Sequence, residues 1–492
     1  MQQTPPYIFC DDFTERKNIA WRIEEGRWDP ANPLLVGEYP WETATAFSEG
    51  TVLKDPFDGC YKAWGKSWPH LDNFYVGQFD GRVTYFLSED GVKWSKPMLD
   101  GFPCQGYEKS NVLLDIPHVG RCGYSSVIID PDQPRELRYE LFLHTYPSYK
   151  NPSRHVRGFP VKPEHALAHP SGLYRYRSAD GIHWLPTEGP IELETADSFY
   201  AFKEPGEPYV AYHKIGREAH PGAYVPYDIG AGEQRILCRR ESPDGTHWTP
   251  YQIILEPDWR DAQDTQFMDM GTIRQANGIV AIVAVYHCVS QRMDLQFAGS
   301  VDGRTWFRPF PRSSCLPNRA LGDYGGGLFY CTPHIIEDGD WLHFYFGAFE
   351  GLHGDVYGKV DDEYLQYGGM CRASWRRGRL WAAVPASGGP CEAILTTKPL
   401  AETDGKRLVI NAQTQADGEL SVEVVQAGGD GVADNGVADN GVAGYSRNEG
   451  RVFRGDETLH TYTWHDRSHL PPQVALRFYL KRARLYGFEL RS

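Results

Sequence analysis

Apolar and polar residues alternate along most of the chain in short runs that are separated by turns rich in glycine and aspartate. Examples are TYFL at 84–87, YRYR at 174–177 and LQFA at 295–298. Strict alternation over four to eight residues is typical of a β-strand with one buried face. The sequence therefore predicts an all-β protein built from many short strands.

One turn motif is repeated four times. The pattern S-x-D-G-x-x-W stands at 88–94, 178–184, 242–248 and 300–306, each time after an alternating run. Asp-Gly is a hairpin-turn signal, and the tryptophan suits the start of the following strand. The four copies therefore predict one supersecondary unit used repeatedly.

A second repeated element precedes each turn and consists of a strand, a turn and an aromatic strand. Its copies begin at residues 50, 126, 198 and 271, and a fifth copy at 334 is followed by a degenerate turn at Arg377 and Gly378. Five units of four strands are typical of a five-bladed β-propeller. A β-solenoid is the alternative, but its repeats are shorter.

The turn motif disappears after the fifth unit. Short strands without it are predicted at 407–411, 419–425, 460–464, 474–480 and 484–490, a pattern that favours a small β-sandwich. We predict a propeller over residues 1–394, with an N-terminal extension over 1–31, and a sandwich over 395–492.

The composition of the chain argues against several classes of binding partner. The chain has 50 Lys and Arg against 65 Asp and Glu, a net charge of −15, so no basic surface for nucleic acid is expected. The longest apolar stretch, 279–286, is too short for a membrane helix, and the first residues do not resemble a signal peptide. Ten cysteines without a CxxC pair favour reduced thiols in a cytoplasmic protein, whereas a trimmed signal peptide would favour a secreted one. The oligomeric state stays open.

The repeated turns followed by a sandwich resemble the glycoside hydrolase superfamily of families 32, 43 and 68. The stretch from Asn32 to Tyr61 is similar to the opening of their first blade, and RLYGF at 484–488 to their last strand. The resemblance implies a glycosidase that acts on a furanoside or a related sugar. The Asn-Asp-Pro-Asn-Gly, Arg-Asp-Pro and Glu-Cys motifs of the invertase-like members are absent, so we expect an outlying branch.

The innermost strand of each propeller blade lines the central channel, and residues at its start converge on one mouth. Glycoside hydrolysis needs two carboxyl groups there, one protonated and one ionised. Acids near these starts are Glu42 and Glu49 in blade one, Asp197 in blade three, and Asp261, Asp264 and Asp269 in blade four. We expect a blade-one acid to be base or nucleophile, a blade-four acid to be the proton donor, and Asp197 to orient substrate or tune a pKa. The resemblance to the arabinanase-like group implies inversion.

His353, between glycines, is predicted to face the substrate, although a plain turn is an equal alternative. No HxH or HExxH spacing predicts a metal site, and no cofactor is expected. A glycan-binding propeller without catalysis, or a lyase or transglycosylase on the same scaffold, remains open because fold alone does not decide between these functions.

Overall fold

The protein is described here from a computed structural model. The structure describes residues 13–68, 81–114, 121–130, 133–146, 172–191, 198–218, 233–309, 311–353, 367–386, 391–426 and 440–492. Among the elements that lie wholly within these ranges, the one helical element is a 3₁₀ turn at Arg135–Leu137. No helix in them is long and apolar enough to cross a membrane.

The strands fall into blades and one further sheet. Three short strands come first: β1 (Phe13–Lys17), β2 (Ile19–Ile23) and β3 (Arg27–Trp28). Blade one contains β4 (Gly50–Lys54), β5 (Tyr61–Ser67), β6 (Arg82–Ser88) and β7 (Val112–Leu114), hydrogen-bonded in that order. Blade two contains β8 (Arg121–Ile129), β9 (Tyr139–Tyr146), β10 (Gly172–Ser178) and β11 (Leu185–Ile191).

The next three blades follow the same order. Blade three contains β12 (Phe199–Phe202), β13 (Tyr209–Glu218), β14 (Glu233–Ser242) and β15 (Gln252–Leu255), and blade four contains β16 (Thr265–Gln275), β17 (Gly278–His287) and β18 (Arg292–Ser300). Blade five contains β19 (Leu328–Asp338), β20 (Trp341–Phe349) and β21 (Gly368–Arg376). All pairs within a blade are antiparallel, as in the predicted five-bladed propeller.

The first strand of each blade contacts the first strand of another. In blades two and three, the Ala201 amide donates to Ser126 Oγ at 3.0 Å. Thr272 of blade four pairs in parallel with His334 of blade five, and Tyr200 of blade three donates its hydroxyl to the Cys331 carbonyl at 2.5 Å. The Val127 amide of blade two also donates to Thr51 Oγ1 of blade one at 2.9 Å. Together these contacts place β4, β8, β12, β16 and β19 around the central axis.

The fifth blade is closed by the N-terminal segment. Trp28 of β3 pairs with Ala373 of β21, and Arg27 pairs with Ser374. The Asn32 side chain adds two hydrogen bonds to the Arg372 backbone, at 2.7 and 2.8 Å. Part of the predicted N-terminal extension therefore supplies the outermost strand of the last blade.

The remaining strands form the β-sandwich. They are β22 (Trp381–Pro385), β23 (Ala393–Thr397), β24 (Arg407–Gln426), β25 (Asp456–Thr461) and β26 (Val474–Arg491). Their sheet runs β1-β23-β26-β22-β2, and β24 also pairs with β26 and with β25. The long strands β24 and β26 belong to both layers, because the first half of β26 pairs with β23 and the second half with β22. The β24–β26 register shifts between Thr414 and Glu419, where one layer gives way to the other.

The sheet differs from the predicted boundary at residue 395, because β1, β2, β22 and the first residues of β23 also belong to it. The physical reason is burial. Phe13, Trp21 and Trp381 share one apolar cluster with sandwich residues such as Phe478 and with blade-four and blade-five residues such as Phe297 and Phe346, so these strands are buried between the sandwich and the propeller.

The four repeated turns have the same geometry. In each turn, aspartate Oδ1 accepts the backbone N–H groups of the second and third residues after the aspartate, at 2.7–2.9 Å. Serine Oγ accepts the glycine N–H at 2.8–2.9 Å. The glycines have φ between 70° and 80°. The structure confirms that the motif is the turn after the third strand of blades one to four.

Each turn packs on the preceding blade. Trp248 of blade three lies 6.0 Å from Phe142 of blade two, and Trp306 of blade four lies 5.8 Å from Tyr212 of blade three. Trp94 of blade one lies 5.9 Å from Tyr345 of blade five. The repeated motif therefore fastens neighbouring blades together as well as reversing the chain.

We expect Gly181→Ala to destabilise the protein more than Gly59→Ala. Both glycines have a left-handed φ, 77° and 75°, which costs an alanine roughly 1–2 kcal/mol. A Cβ on Gly181 would lie 2.7 Å from the Trp64 ring, whereas one on Gly59 would meet nothing within 4 Å. Overpacking adds roughly 1–3 kcal/mol. Denaturant unfolding of both variants measures the difference, and equal losses would refute the fastening role of this turn.

Candidate active site

Strand register brings two acids to the same level of the channel. In blade one, Lys54 of the innermost strand pairs with Tyr61, which pairs with the turn residue Ser88. In blade four, Arg274 pairs with Ile279, which pairs with the turn residue Ser300. Glu49 lies five residues before Lys54, and Asp269 lies five residues before Arg274, with no bulge in between. The two carboxyl groups therefore occupy equivalent positions in their blades.

Asp269 is buried, with 1% of its surface exposed. Its Oδ1 accepts the Cys331 N–H at 3.1 Å, and its Oδ2 accepts no hydrogen bond from the residues that the structure describes. Burial raises the pKa of Asp269 to about 7, the Glu49 charge adds to the rise, and Cys331 and the Lys214 charge oppose it. At neutral pH this carboxyl group is therefore poised between its protonated and ionised forms.

Glu49 is also buried, but it has a charged partner. Its Oε2 accepts a hydrogen bond from Ser48 Oγ and lies 3.5 Å from Lys66 Nζ. The Lys66 amide also donates to the Glu49 carbonyl at 2.8 Å, and its ammonium lies 4.9 Å from the centre of the Trp68 ring. Glu49 is thus held in an ion pair at the start of blade one.

Lys214 repeats in blade three the place of Lys66 in blade one. Its amide donates to the Ser198 carbonyl at 3.2 Å, as that of Lys66 does to Glu49, so Ser198 stands at the level of the two acids. Lys214 is buried, and its charge lowers the pKa of Asp269. Ser198 Oγ is buried and has no hydrogen-bond partner within the described part of the chain. Lys66 and Lys214 therefore lie at the level of the acids, and the sequence analysis did not predict either of them. Each follows the first tyrosine of its strand, Tyr61 or Tyr209, by five residues, and this shared spacing is the signal that could have identified them.

Glu42 makes its hydrogen bonds to residues that lie outside the level of Glu49 and Asp269 in the channel. It accepts Lys96 Nζ at 2.5 Å and the amides of Glu38 and Tyr39 at 3.1 and 3.3 Å. Burial raises the pKa of Glu42, against the Lys96 charge. Lys96 follows the first repeated turn and belongs to no innermost strand.

The other predicted site residues are spread out. Asp264 accepts the Val289 amide at 2.9 Å and precedes β16, so it caps the β17–β18 hairpin above the acid level. His353 is buried against the Tyr286 ring at 4.8 Å, and its amide donates to Gln291 of the same hairpin. Asp197 lies outside the described residues. Within the part of the chain that the structure describes, no three His, Cys, Asp or Glu side chains are grouped so that they could hold a metal ion.

Comparisons with known proteins give fold similarity alone. No protein-family model and no curated protein matches the chain. A thermostable family-43 glycoside hydrolase is 12% identical over 68% of this chain and 90% of its own, with a TM-score of 0.43. A β-1,2-mannobiose phosphorylase from Listeria innocua, in complex with β-1,2-mannobiose, is 12% identical over 74% and 98%, with a TM-score of 0.45. A glycosyl hydrolase from Bacteroides ovatus is 12% identical over 71% and 94%, with a TM-score of 0.42.

Proposed function

We propose that this protein is a glycosidase in which Asp269 is the general acid and Glu49 is the base or nucleophile. One observation carries the proposal. At one level of the channel, a buried carboxyl group with a pKa of about 7 accompanies a second carboxylate that is paired with Lys66. Glycoside hydrolysis requires one protonated and one ionised carboxyl group, and differences of environment produce that division.

The hydrogen bonds of Asp269 indicate which oxygen carries the proton. Oδ1 accepts the Cys331 N–H, so in the neutral acid the proton belongs on Oδ2, the oxygen without a partner among the described residues. From there it would pass to the oxygen of the leaving group. The Lys214 charge would then stabilise the carboxylate that remains.

Glu49 would act on the opposite side of the sugar. As a base it would take a proton from water, which attacks the anomeric carbon and inverts it; as a nucleophile it would form a glycosyl intermediate. We propose inversion and a furanoside or related sugar as substrate, both from the sequence resemblance. ¹H NMR of the first product formed distinguishes inversion from retention.

The pH dependence of kcat/KM tests the role of Asp269. The acid is active while protonated, so kcat/KM should fall as the pH rises through about 7. The fall should be smaller for aryl glycosides with good leaving groups, because these need little protonation.

Asp269→Asn should abolish that basic limb, and Glu207→Gln, which changes an exposed acid paired with Arg274, should keep it. An unchanged basic limb in Asp269→Asn would reject the assignment. Saccharide binding without turnover would favour the glycan-binding alternative.

A further inference from the structure

Trp259 is exposed to an unusual degree. Its exposed fraction is 85%, whereas every other tryptophan of the chain is buried or half-buried. Tryptophan is highly buried on average, and a rigid exposed indole is the kind of side chain that dominates binding surfaces. This residue takes no part in the core or in the acid pair.

The backbone on both sides of Trp259 is fixed by ion pairs. Asp258 binds Arg312 through both oxygens, at 2.7 and 2.5 Å. Asp261 binds Arg308 at 2.9 Å and Arg312 at 2.8 Å, and also accepts the Asp258 amide at 2.9 Å. Arg308 and Arg312 are largely buried. The tryptophan is thus presented on a fixed loop, so little ordering entropy is lost when a ligand binds it.

One face of the Trp259 ring is covered and the other is open. The Arg260 guanidinium lies 4.8 Å from the ring centre, and its N–H groups are hydrogen-bond donors. The open face suits the C–H groups of a sugar ring, which pack on aromatic faces, while the guanidinium can donate to hydroxyl oxygens at the sugar's edge. The pair therefore combines apolar stacking with polar recognition.

The loop lies on the face where the innermost strands begin. It joins Leu255, the end of β15 at the outside of blade three, to Thr265, the start of β16 at the axis. Asp269 lies four residues inside β16, about 13 Å at roughly 3.3 Å per residue. Trp259 precedes Thr265 by a further six residues, so we expect a sugar unit bound at Asp269 to leave Trp259 uncovered and further units of a longer chain to extend towards it.

We propose that Trp259 and Arg260 form a subsite for sugar units of an oligosaccharide beyond the bond that is cleaved. This inference rests on the proposed function, since it assumes a saccharide bound at Asp269. Chain length, rather than the sugar at the acids alone, then determines affinity.

The test uses xylo-, manno-, arabino- and fructo-oligosaccharides of two to six units with the full chain. Tryptophan fluorescence and calorimetry measure binding to the unchanged protein and to Trp259→Ala, Trp259→Phe and Val301→Ala. Val301 is an exposed residue of the fourth repeated turn, at the opposite ends of the strands. For the series that binds, Trp259→Ala should weaken the affinity for the longest member about tenfold, the upper range for an aromatic contact. It should leave the disaccharide unchanged, and Trp259→Phe should retain most of the affinity.

Equal weakening for all lengths, no weakening beyond that of Val301→Ala, or no binding by any series would overturn the subsite. The acid pair is tested separately by turnover. If Asp269→Asn keeps its turnover while Trp259→Ala still loses affinity for long chains, the subsite stands and the assignment of the acid fails.

Discussion

Asp269→Asn is expected to lower kcat/KM by at least a hundredfold. Asparagine keeps the shape of the side chain and can accept the Cys331 N–H, but it cannot deliver an acidic proton to a leaving group. General acid catalysis contributes about 10²–10⁴-fold. Turnover of an oligosaccharide or an aryl glycoside measures the effect.

Asp264→Asn is the matched control, because Asp264 belongs to the same segment but caps a hairpin above the acid level. It should change turnover only a few-fold. A larger loss in Asp264→Asn than in Asp269→Asn would exchange their roles.

Glu49→Gln should lose activity about as severely as Asp269→Asn. The Glu49→Gln, Asp269→Asn double variant should lose little more, because the effects of residues that act as a unit are not additive.

Asp269→Asn should also gain stability at neutral and basic pH. The pKa of Asp269 is about 7 in the folded protein and about 3.9 in an unfolded chain. Between these values the folded protein holds a proton that the unfolded chain has released, so the free energy of unfolding falls as pH rises. Asparagine has no such dependence. Asp269→Asn should therefore exceed the unchanged protein in melting temperature above pH 7 and match it below about pH 4, whereas lower stability at pH 8 would indicate a folding defect.

Lys62→Met is expected to cost about 3–5 kcal/mol of unfolding free energy, because it leaves a buried carboxylate without its charged partner. Lys62 binds Asp55 at the junction of blades one and two, and Tyr139 of blade two donates its hydroxyl to the same carboxylate. All three residues are buried. Denaturant unfolding measures the loss.

Lys54→Met is the control for Lys62→Met. Lys54 pairs with Asp338 at 3.2 Å, but both side chains are substantially exposed, and such pairs contribute about 0–1 kcal/mol. Adding Asp55→Asn to Lys62→Met should recover part of the loss, since the uncompensated charge is removed. Equal losses in the two single variants would show that the buried pair does not hold these blades together.

The propeller was predictable because its signal is local. The serine, aspartate and glycine of each turn make their hydrogen bonds within four residues. The short motif therefore determines the turn geometry, and the same turn forms wherever the motif occurs. β3 could not be predicted in this way. It has only two residues, and its partners Ala373 and Ser374 lie in a distant part of the chain.

Glu49 and Asp269 were both among the candidate acids, but the sequence did not single them out. Asp264 directly precedes β16, which made it at least as plausible as Asp269. The difference is that β16 has 11 residues against 5 for β4, so the level of Glu49 falls well inside the strand of blade four. Strand length depends on tertiary packing, which no local pattern encodes. The catalytic roles of Glu49 and Asp269 stay predictions, and so does that of Asp197, which the described residues do not include.

The closure of the fifth blade by β3 also bears on synthesis of the chain. Asn32 and its partner Arg372 are 340 positions apart. A ribosome adds about 5–20 residues per second, so the first strands wait on the order of tens of seconds for the residues they pair with. During that interval Trp21 and Trp28 have no core to join, and their strands expose unpaired edges of the kind that aggregate. In the nascent protein, β3 therefore stays without its partner strand until blade five leaves the ribosome.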